Sequence, residues 1–330
     1  MTTLTEASHW HPVALQDEVG ADPLAVTLLD QDLVLWRDSS GQLQAWADRC
    51  PHRGARLSLG RVQDDRLQCP YHGWQFDTQG LCQRVPALPD FKPPASHCAS
   101  VYEVCCQYGL IWVRLVRPEG ATPPISAFAA EASGLRLLNA GPYDVDTSAP
   151  RVVENFLDMA HFGFVHDGWL GSPERAEIDP YLVEETPTGV RATQCRAWQP
   201  RSNLHAIAPA QVEYTYEVTG PYSAVLTKVP EPGSTRLADW QEAIGLFICP
   251  VGPERCRLWF RMAVADHDSS DEVLRAFQHT IFTQDQPVLQ SQRPKRLPLD
   301  PRRELHTSVD RLSAAYRRYL KRLNITFGVC

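Results

Sequence analysis

Between residues 24 and 116 the chain alternates short runs of aliphatic, aromatic and β-branched residues with polar turn signals. PLAVTLLDQDLVLWRD, LQAWADR and YGLIWVRL are separated by segments such as SSGQ and DTQG, a spacing that predicts a small all-β unit. Over residues 117–134 the alternation stops. RPEGATPPISAFAAEASG is rich in Pro, Gly, Ala and Ser and reads as a linker. Beyond it VVENFLDMAHF reads as helix, and ATQCRAW, VEYTYEV, SAVLTKV, AIGLFICP and CRLWFRMAVA alternate or run continuously apolar, which predicts an antiparallel sheet. Residues 271–292 return to helical spacing with Val273, Phe277, Ile281 and Leu289 on one face, and LHTSVDRLSAAYRRYLKRL closes as an amphipathic helix. The expected architecture is α+β: an all-β domain over 1–116, a linker over 117–134, and an antiparallel sheet with long helices over 135–330.

A length of 330 residues is ample for two such domains. The longest apolar runs, such as GLIWV, are far too short to span a bilayer. The start, MTTLTEASHWHP, has neither a basic-then-apolar leader nor an Arg-rich transit sequence, so a cytoplasmic location is expected. A net charge of −7 disfavours nucleic-acid binding driven by phosphate neutralisation and leaves small-molecule chemistry or a protein partner. In a chain of this kind ten cysteines read as reduced thiols or metal ligands rather than a disulfide framework.

Two cysteines stand out. Cys50-Pro51-His52 is followed, after sixteen residues, by Cys69-Pro70-Tyr71-His72. Two Cys/His arms with one and two intervening residues suit a 2Fe-2S cluster in which Cys50 and Cys69 hold one iron while His52 and His72 hold the other. Gly54 and Gly73 follow where tight loops need unusual backbone angles. A Cys2His2 zinc site is the alternative, although zinc sites more often pair Cys-x2-Cys with His-x3–5-His. The other eight cysteines, Cys82, Cys98, Cys105, Cys106, Cys195, Cys249, Cys256 and Cys330, show no such pairing, and most are expected to be buried apolar residues.

A second constellation lies in ENFLDMAHFGFVH, a stretch expected to be helical, where Asn155, Asp158 and His161 recur every third residue in apolar surroundings. Such groups are costly to bury unless hydrogen-bonded or metal-bound. His166, five residues on, is rotated roughly 140° around an ideal helix, so convergence with His161 requires the helix to deform or end near Gly163. Two imidazoles need a carboxylate to make a facial triad with open iron positions. Asp285 interrupts the apolar stripe of its helix between Ile281 and Leu289, and could equally cap a break before Pro287.

CPHRGARLSLG with CPYHGWQFDTQG resembles the Rieske fingerprint of aromatic-ring and related oxygenases. NFLDMAHFGFVH is similar to their Asn-x2-Asp-x2-His-x4-His segment, and FTQDQPVLQSQ to the segment supplying their aspartate ligand. The likeness extends along essentially the whole chain and is greatest to the single-subunit group that includes vanillate O-demethylase and dicamba monooxygenase, while SQRPKRLPLD resembles members that hydroxylate saxitoxin-type alkaloids. It implies an N-terminal Rieske domain ahead of a helix-grip catalytic domain, a 2Fe-2S cluster, a mononuclear Fe(II) on His161, His166 and Asp285, and O2 as co-substrate. It further implies a homotrimer in which Asp158 bridges His72 of one subunit to His161 of the next, with Asn155 beside the iron ligands. Electrons would come from a separate reductase or ferredoxin.

The implied activity is hydroxylation or O- or N-demethylation of a small organic substrate. A ring-hydroxylating dioxygenase is the alternative within enzymes, and a Rieske electron carrier the alternative outside them, which would have no use for the second constellation. Where members acting on methoxylated aromatic acids often carry His-Tyr-Phe on a late strand, this chain has Leu258-Trp259-Phe260, which disfavours such substrates. Met262 and Thr283 are candidate pocket residues. Arg49, Arg53, Arg56, Arg61 and Arg66, in and between the cluster loops, form a candidate basic surface for an acidic electron donor.

Overall fold

The computed structural model describes residues 4–120, 124–236 and 240–330; residues 121–123, inside the expected linker, lie outside the described residues. The chain divides into two compact units, one over Ala7–Ile125 and one over Ser126–Cys330 together with Leu4–Glu6. No helix among the described residues is long and apolar enough to cross a membrane.

Alternation in the first unit produces two antiparallel sheets. The larger runs in the order His11–Leu15, Leu110–Arg114, Val101–Gln107, Leu43–Ala47, Gln31–Arg37 and Leu24–Leu28; the smaller in the order Arg61–Gln63, Arg66–Gln68, Gln75–Phe76 and Cys82–Arg84. Trp36 and Trp46 meet edge to face at 5.0 Å in a core that also takes in Leu57, Leu67, Phe76, Cys50 and Cys69. The loop after Leu43–Ala47 and the hairpin joining Arg66–Gln68 to Gln75–Phe76 thereby carry the Cys/His arms on packed strands.

The second unit is a seven-stranded antiparallel sheet ordered Arg136–Val145, Arg255–Val264, Glu242–Gly252, Ser223–Pro230, Ala210–Gly220, Val190–Gln199 and Leu182–Glu185. Each of the five apolar segments expected to be strands is one. Three longer helices share a core with this sheet: α1 (Ala149–Phe156), α3 (Asp271–Ser291) and α4 (Arg311–Arg322); a single turn, α2 (Phe162–Val165), lies between the first two. Arg317 of α4 makes a two-pronged pair with Glu154 of α1 at 2.6 and 2.8 Å, fixing one helix against the other. Part of the segment read as linker packs into this unit: Phe128 is buried edge-on to Phe247 at 6.4 Å, and Glu131 pairs with Arg261 at 2.8 Å.

The long helix differs from its expected face. Leu274, Gln278, Phe282, Asp285 and Leu289 are its buried residues, whereas Val273 is exposed. Asp285 and Leu289 lie on the expected stripe, but in the first half of the helix the buried face is one residue, or about 100°, on from Val273, Phe277 and Ile281, because the polar Gln278 takes an inward position that hydrophobicity alone does not assign it. Pro287 does not end the helix, which continues to Ser291.

Candidate active site

The two Cys/His loops have the same backbone design. Cys50 N–H donates to Ala55 O at 2.8 Å and Gly54 N–H to Cys50 O at 2.9 Å; Cys69 N–H donates to Trp74 O at 2.8 Å and Gly73 N–H to Cys69 O at 3.1 Å. In both, the fourth residue after the cysteine is a glycine with positive φ, +73° and +69°, a conformation that a side chain would strain. Cys50 and Cys69 are buried and His52 and His72 exposed, with the two rings 4.6 Å apart. Trp74 stacks on His52 at 4.5 Å and His97 on Trp74 at 5.5 Å. Burial, with Cys69 alongside, pushes the Cys50 thiol up to about 11, so a thiolate here calls for a metal counter-charge.

Among the described residues, the one group of three or more His, Cys, Asp or Glu whose donor atoms all lie within 4.8 Å of one another is His161, His166 and Asp285. The four Rieske-type donors are paired by type, the two cysteine side chains beside each other and the two imidazole rings beside each other. They suit a two-iron cluster with thiolates at one end and imidazoles at the other.

The second constellation is assembled by a broken helix. Helix α1 ends at Phe156 and α2 begins only at Phe162, so the continuous helix expected through His161 does not form. Asp158 is the cause: its carboxylate accepts from Ala160 N–H at 3.0 Å and His161 N–H at 3.2 Å, local bonds that compete with the helical ladder. Gly163 lets the turn cross a neighbouring segment, since a Cβ there would lie 2.8 Å from Ser172 O. The turn brings His161 Nε2 and His166 Nε2 to 3.3 Å, with Asp285 Oδ1 of α3 at 3.4 and 3.3 Å from them. One ion at an ordinary bond length of about 2 Å can touch all three donors.

Each donor has its own support. His161 Nδ1 is 2.9 Å from Asp158 Oδ2, His166 Nδ1 is 2.8 Å from Gln284 Oε1, and Asn155 Nδ2 donates to Asp285 Oδ1 at 3.2 Å. With the Nδ1 protons donated to Asp158 and Gln284, both Nε2 lone pairs face the shared point. A cavity opens on the three donors, walled in part by Phe156, Phe162, Phe260, Phe277 and Phe282.

Residues 145–324 match the family model for the vanillate O-demethylase oxygenase C-terminal domain, and residues 9–101 match the Rieske [2Fe-2S] domain. The chain belongs to the Rieske non-haem iron oxygenases. Methylxanthine N1-demethylase NdmA of Pseudomonas putida is 36% identical, covering 95% of this chain and 88% of its own length; methylxanthine N3-demethylase NdmB of the same organism is 33% identical over 96% and 89%. The solved structure of NdmA with caffeine superposes with a TM-score of 0.83 at 32% identity, covering 96% of this chain and 90% of that one. Dicamba monooxygenase bound to dicamba, at 23% identity, 97% and 98% coverage and a TM-score of 0.80, shares the fold.

In this Rieske oxygenase the sequence reading missed three residues beside the cavity or its ligands. Gln284 lies next to Asp285 and was concealed by it. Lys228 and Glu242 face each other on adjacent strands, side chains 6% and 8% exposed and 3.0 Å apart, and both line the cavity. Burial works against the Lys228 charge, but Glu242 and Tyr214 more than offset it, and its pKa lies above the ordinary lysine value. The signal was available: on alternating strands the inward positions read Ala224, Leu226, Lys228 and, opposite them, Leu246, Ile244, Glu242.

The two candidate pocket residues do not line this cavity. Met262 lines a smaller hollow with Asn203, Trp240 and Leu274, while the Thr283 hydroxyl turns back onto the carbonyls of His279 and Thr280. Of the eight remaining cysteines, Cys82, Cys195, Cys249 and Cys256 are buried, Cys105 is half-buried, and Cys98, Cys106 and Cys330 are exposed. Burial therefore accounts for half of them rather than most.

Proposed function

We propose that this oxygenase removes a methyl group from a ring nitrogen of a small planar heterocycle by hydroxylating the methyl carbon. The observation that carries the reading is the phenylalanine-walled cavity opening directly on His161, His166 and Asp285, whose aromatic faces can stack on a flat ring and hold a substituent toward the three donors. The likeness over nearly the whole chain to NdmA and NdmB, which are methylxanthine demethylases, supports the same class.

In this reading Cys50, His52, Cys69 and His72 hold the 2Fe-2S cluster, and His161, His166 and Asp285 hold the mononuclear iron. When bound, these groups supply two electrons and activate O2, placing one oxygen atom in a methyl C–H bond and releasing the other as water. Asp158 and Gln284 keep the Nδ1 protons of His161 and His166 and so leave Nε2 free; Asn155 orients Asp285. The apolar walls exclude water and orient the ring. The carbinol formed on nitrogen then loses formaldehyde and restores an N–H. With a surrogate reductase, stoichiometric formaldehyde is expected from N-methylxanthines and not from methoxybenzoates; the converse pattern would refute N-demethylation.

The working form is a head-to-tail trimer in the cytoplasm, with Asp158 joining His161 to His72 of the partner subunit. A separate reductase or ferredoxin docks on the basic surface around the cluster loops. Of its arginines, Arg56 is already paired with Asp32 at 2.8 Å and Arg61 bonded to Gln68 at 2.7 Å, while Arg53 is exposed with no ion pair among the described residues. Arg53→Glu is therefore expected to slow cluster reduction by an acidic donor, several-fold at low salt and less at high salt, without altering the cluster spectrum. A rate indifferent to both the substitution and ionic strength would place the docking surface elsewhere.

A further inference from the structure

Lys228 and Glu242 are cross-strand neighbours in the register that also sets Leu226 against Ile244. The fold does not require a charged pair there. Two apolar residues of similar volume would pack the sheet as well or better, because removing both charges from water costs about what their attraction returns. The pair also leaves hydrogen-bonding capacity unused. An ammonium has three N–H donors, and Lys228 Nζ uses two, to Glu242 Oε2 and to Ser202 O, each at 3.0 Å. Glu242 Oε1 takes no bond from any described residue. One charged donor and one charged acceptor thus remain side by side in the wall of a cavity whose other sides are largely aromatic and aliphatic.

We propose that Lys228 and Glu242 are the specificity-determining end of the substrate site and select a heterocycle that presents a carbonyl oxygen beside a ring N–H. The carbonyl accepts from Lys228 Nζ and the ring N–H donates to Glu242 Oε1. Both bonds are charge-assisted in a water-poor cavity, where such bonds discriminate most. The inference rests on the N-demethylase reading and gives it a substrate class: N-methylated rings that retain one unmethylated N–H next to a carbonyl.

Theophylline and caffeine test it, because theophylline carries a ring N–H near a carbonyl and caffeine has that nitrogen methylated. Calorimetric titration of the metal-loaded enzyme is expected to show theophylline binding roughly tenfold or more tighter than caffeine. In the double variant Lys228→Met/Glu242→Leu, which leaves no unpaired buried charge, the preference is expected to fall to within about twofold, with metal content and melting temperature retained. Glu242→Gln, able to turn a donor toward the ring, is expected to weaken theophylline more than caffeine. Equal wild-type affinity for the two xanthines, both being demethylated, would overturn this inference alone, as would an unchanged preference in the double variant. Binding of neither xanthine together with turnover of a methoxyarene would overturn the N-demethylase reading and this inference with it.

Discussion

Asp285→Ala is expected to strip the mononuclear iron and abolish turnover while leaving the visible spectrum of the 2Fe-2S cluster intact. Asp285 is the only carboxylate whose donor atom lies within 3.4 Å of both His161 Nε2 and His166 Nε2 among the described residues. Losing a partner one bond removed from a metal costs about 10- to 100-fold; loss of one of three protein donors, and the one that carries negative charge, should exceed that, so activity should fall by at least roughly a thousandfold. Alanine is the best helix former and keeps α3 continuous. Asn155 loses its bond to the carboxylate but stays on α1, so the fold should survive. Iron analysis should read about two per chain instead of about three. His161→Ala and His166→Ala should behave alike. An Asp285→Ala protein that keeps the third iron and turns over at the wild-type rate would assign the carboxylate ligand elsewhere.

How much of this was legible beforehand differs between the two units. The Rieske-type loops were readable because their chemistry is local: a cysteine, a histidine two or three residues on, and a glycine four residues on, all within one loop closed by its own backbone bonds. The strands were readable because alternation follows from the pleat. What failed was the geometry of polar residues in apolar elements. A continuous helix was expected through Asn155, Asp158 and His161, but Asp158 bonds the next backbone amides and ends it, and only that break lets His161 meet His166 across five residues. On α3 the stripe through Ile281, Asp285 and Leu289 led to Asp285, but in the first half of the helix Gln278 takes an inward position, so a count of apolar positions named Val273, Phe277 and Ile281 where Leu274, Gln278 and Phe282 are the buried ones. Lys228 and Glu242 were passed over for the same reason. A charge within a β-run is ordinarily assigned to the solvent side, and only the pairing register shows that both point inward and oppose each other.

Asp158→Asn is expected to keep both metal sites loaded yet slow electron transfer from the cluster to the mononuclear iron by roughly a hundredfold or more. The Asp158 carboxylate already accepts three bonds, from Ala160 N–H, His161 N–H and His161 Nδ1, and its side chain is still 31% exposed. That exposed edge is where an imidazole of the partner subunit can donate. A carboxylate has about four lone-pair sites and can accept from two imidazoles as well as from the turn. An asparagine has one accepting oxygen and one donating nitrogen, so it can preserve the turn and one imidazole bond, but its amide N–H then faces the N–H of the second imidazole. The folded turn and His161 should therefore persist while the proposed link to His72 of the partner subunit is lost. A single-turnover experiment isolates this step: protein reduced beforehand is mixed with substrate and O2, and bleaching or recovery of the cluster absorbance is followed with no reductase present. Steady-state reduction of the cluster by its donor should be unchanged, which separates a broken link from a damaged cluster. Oxidation of the cluster in Asp158→Asn at the wild-type rate would exclude Asp158 as the path and require the electron to cross between subunits by another contact.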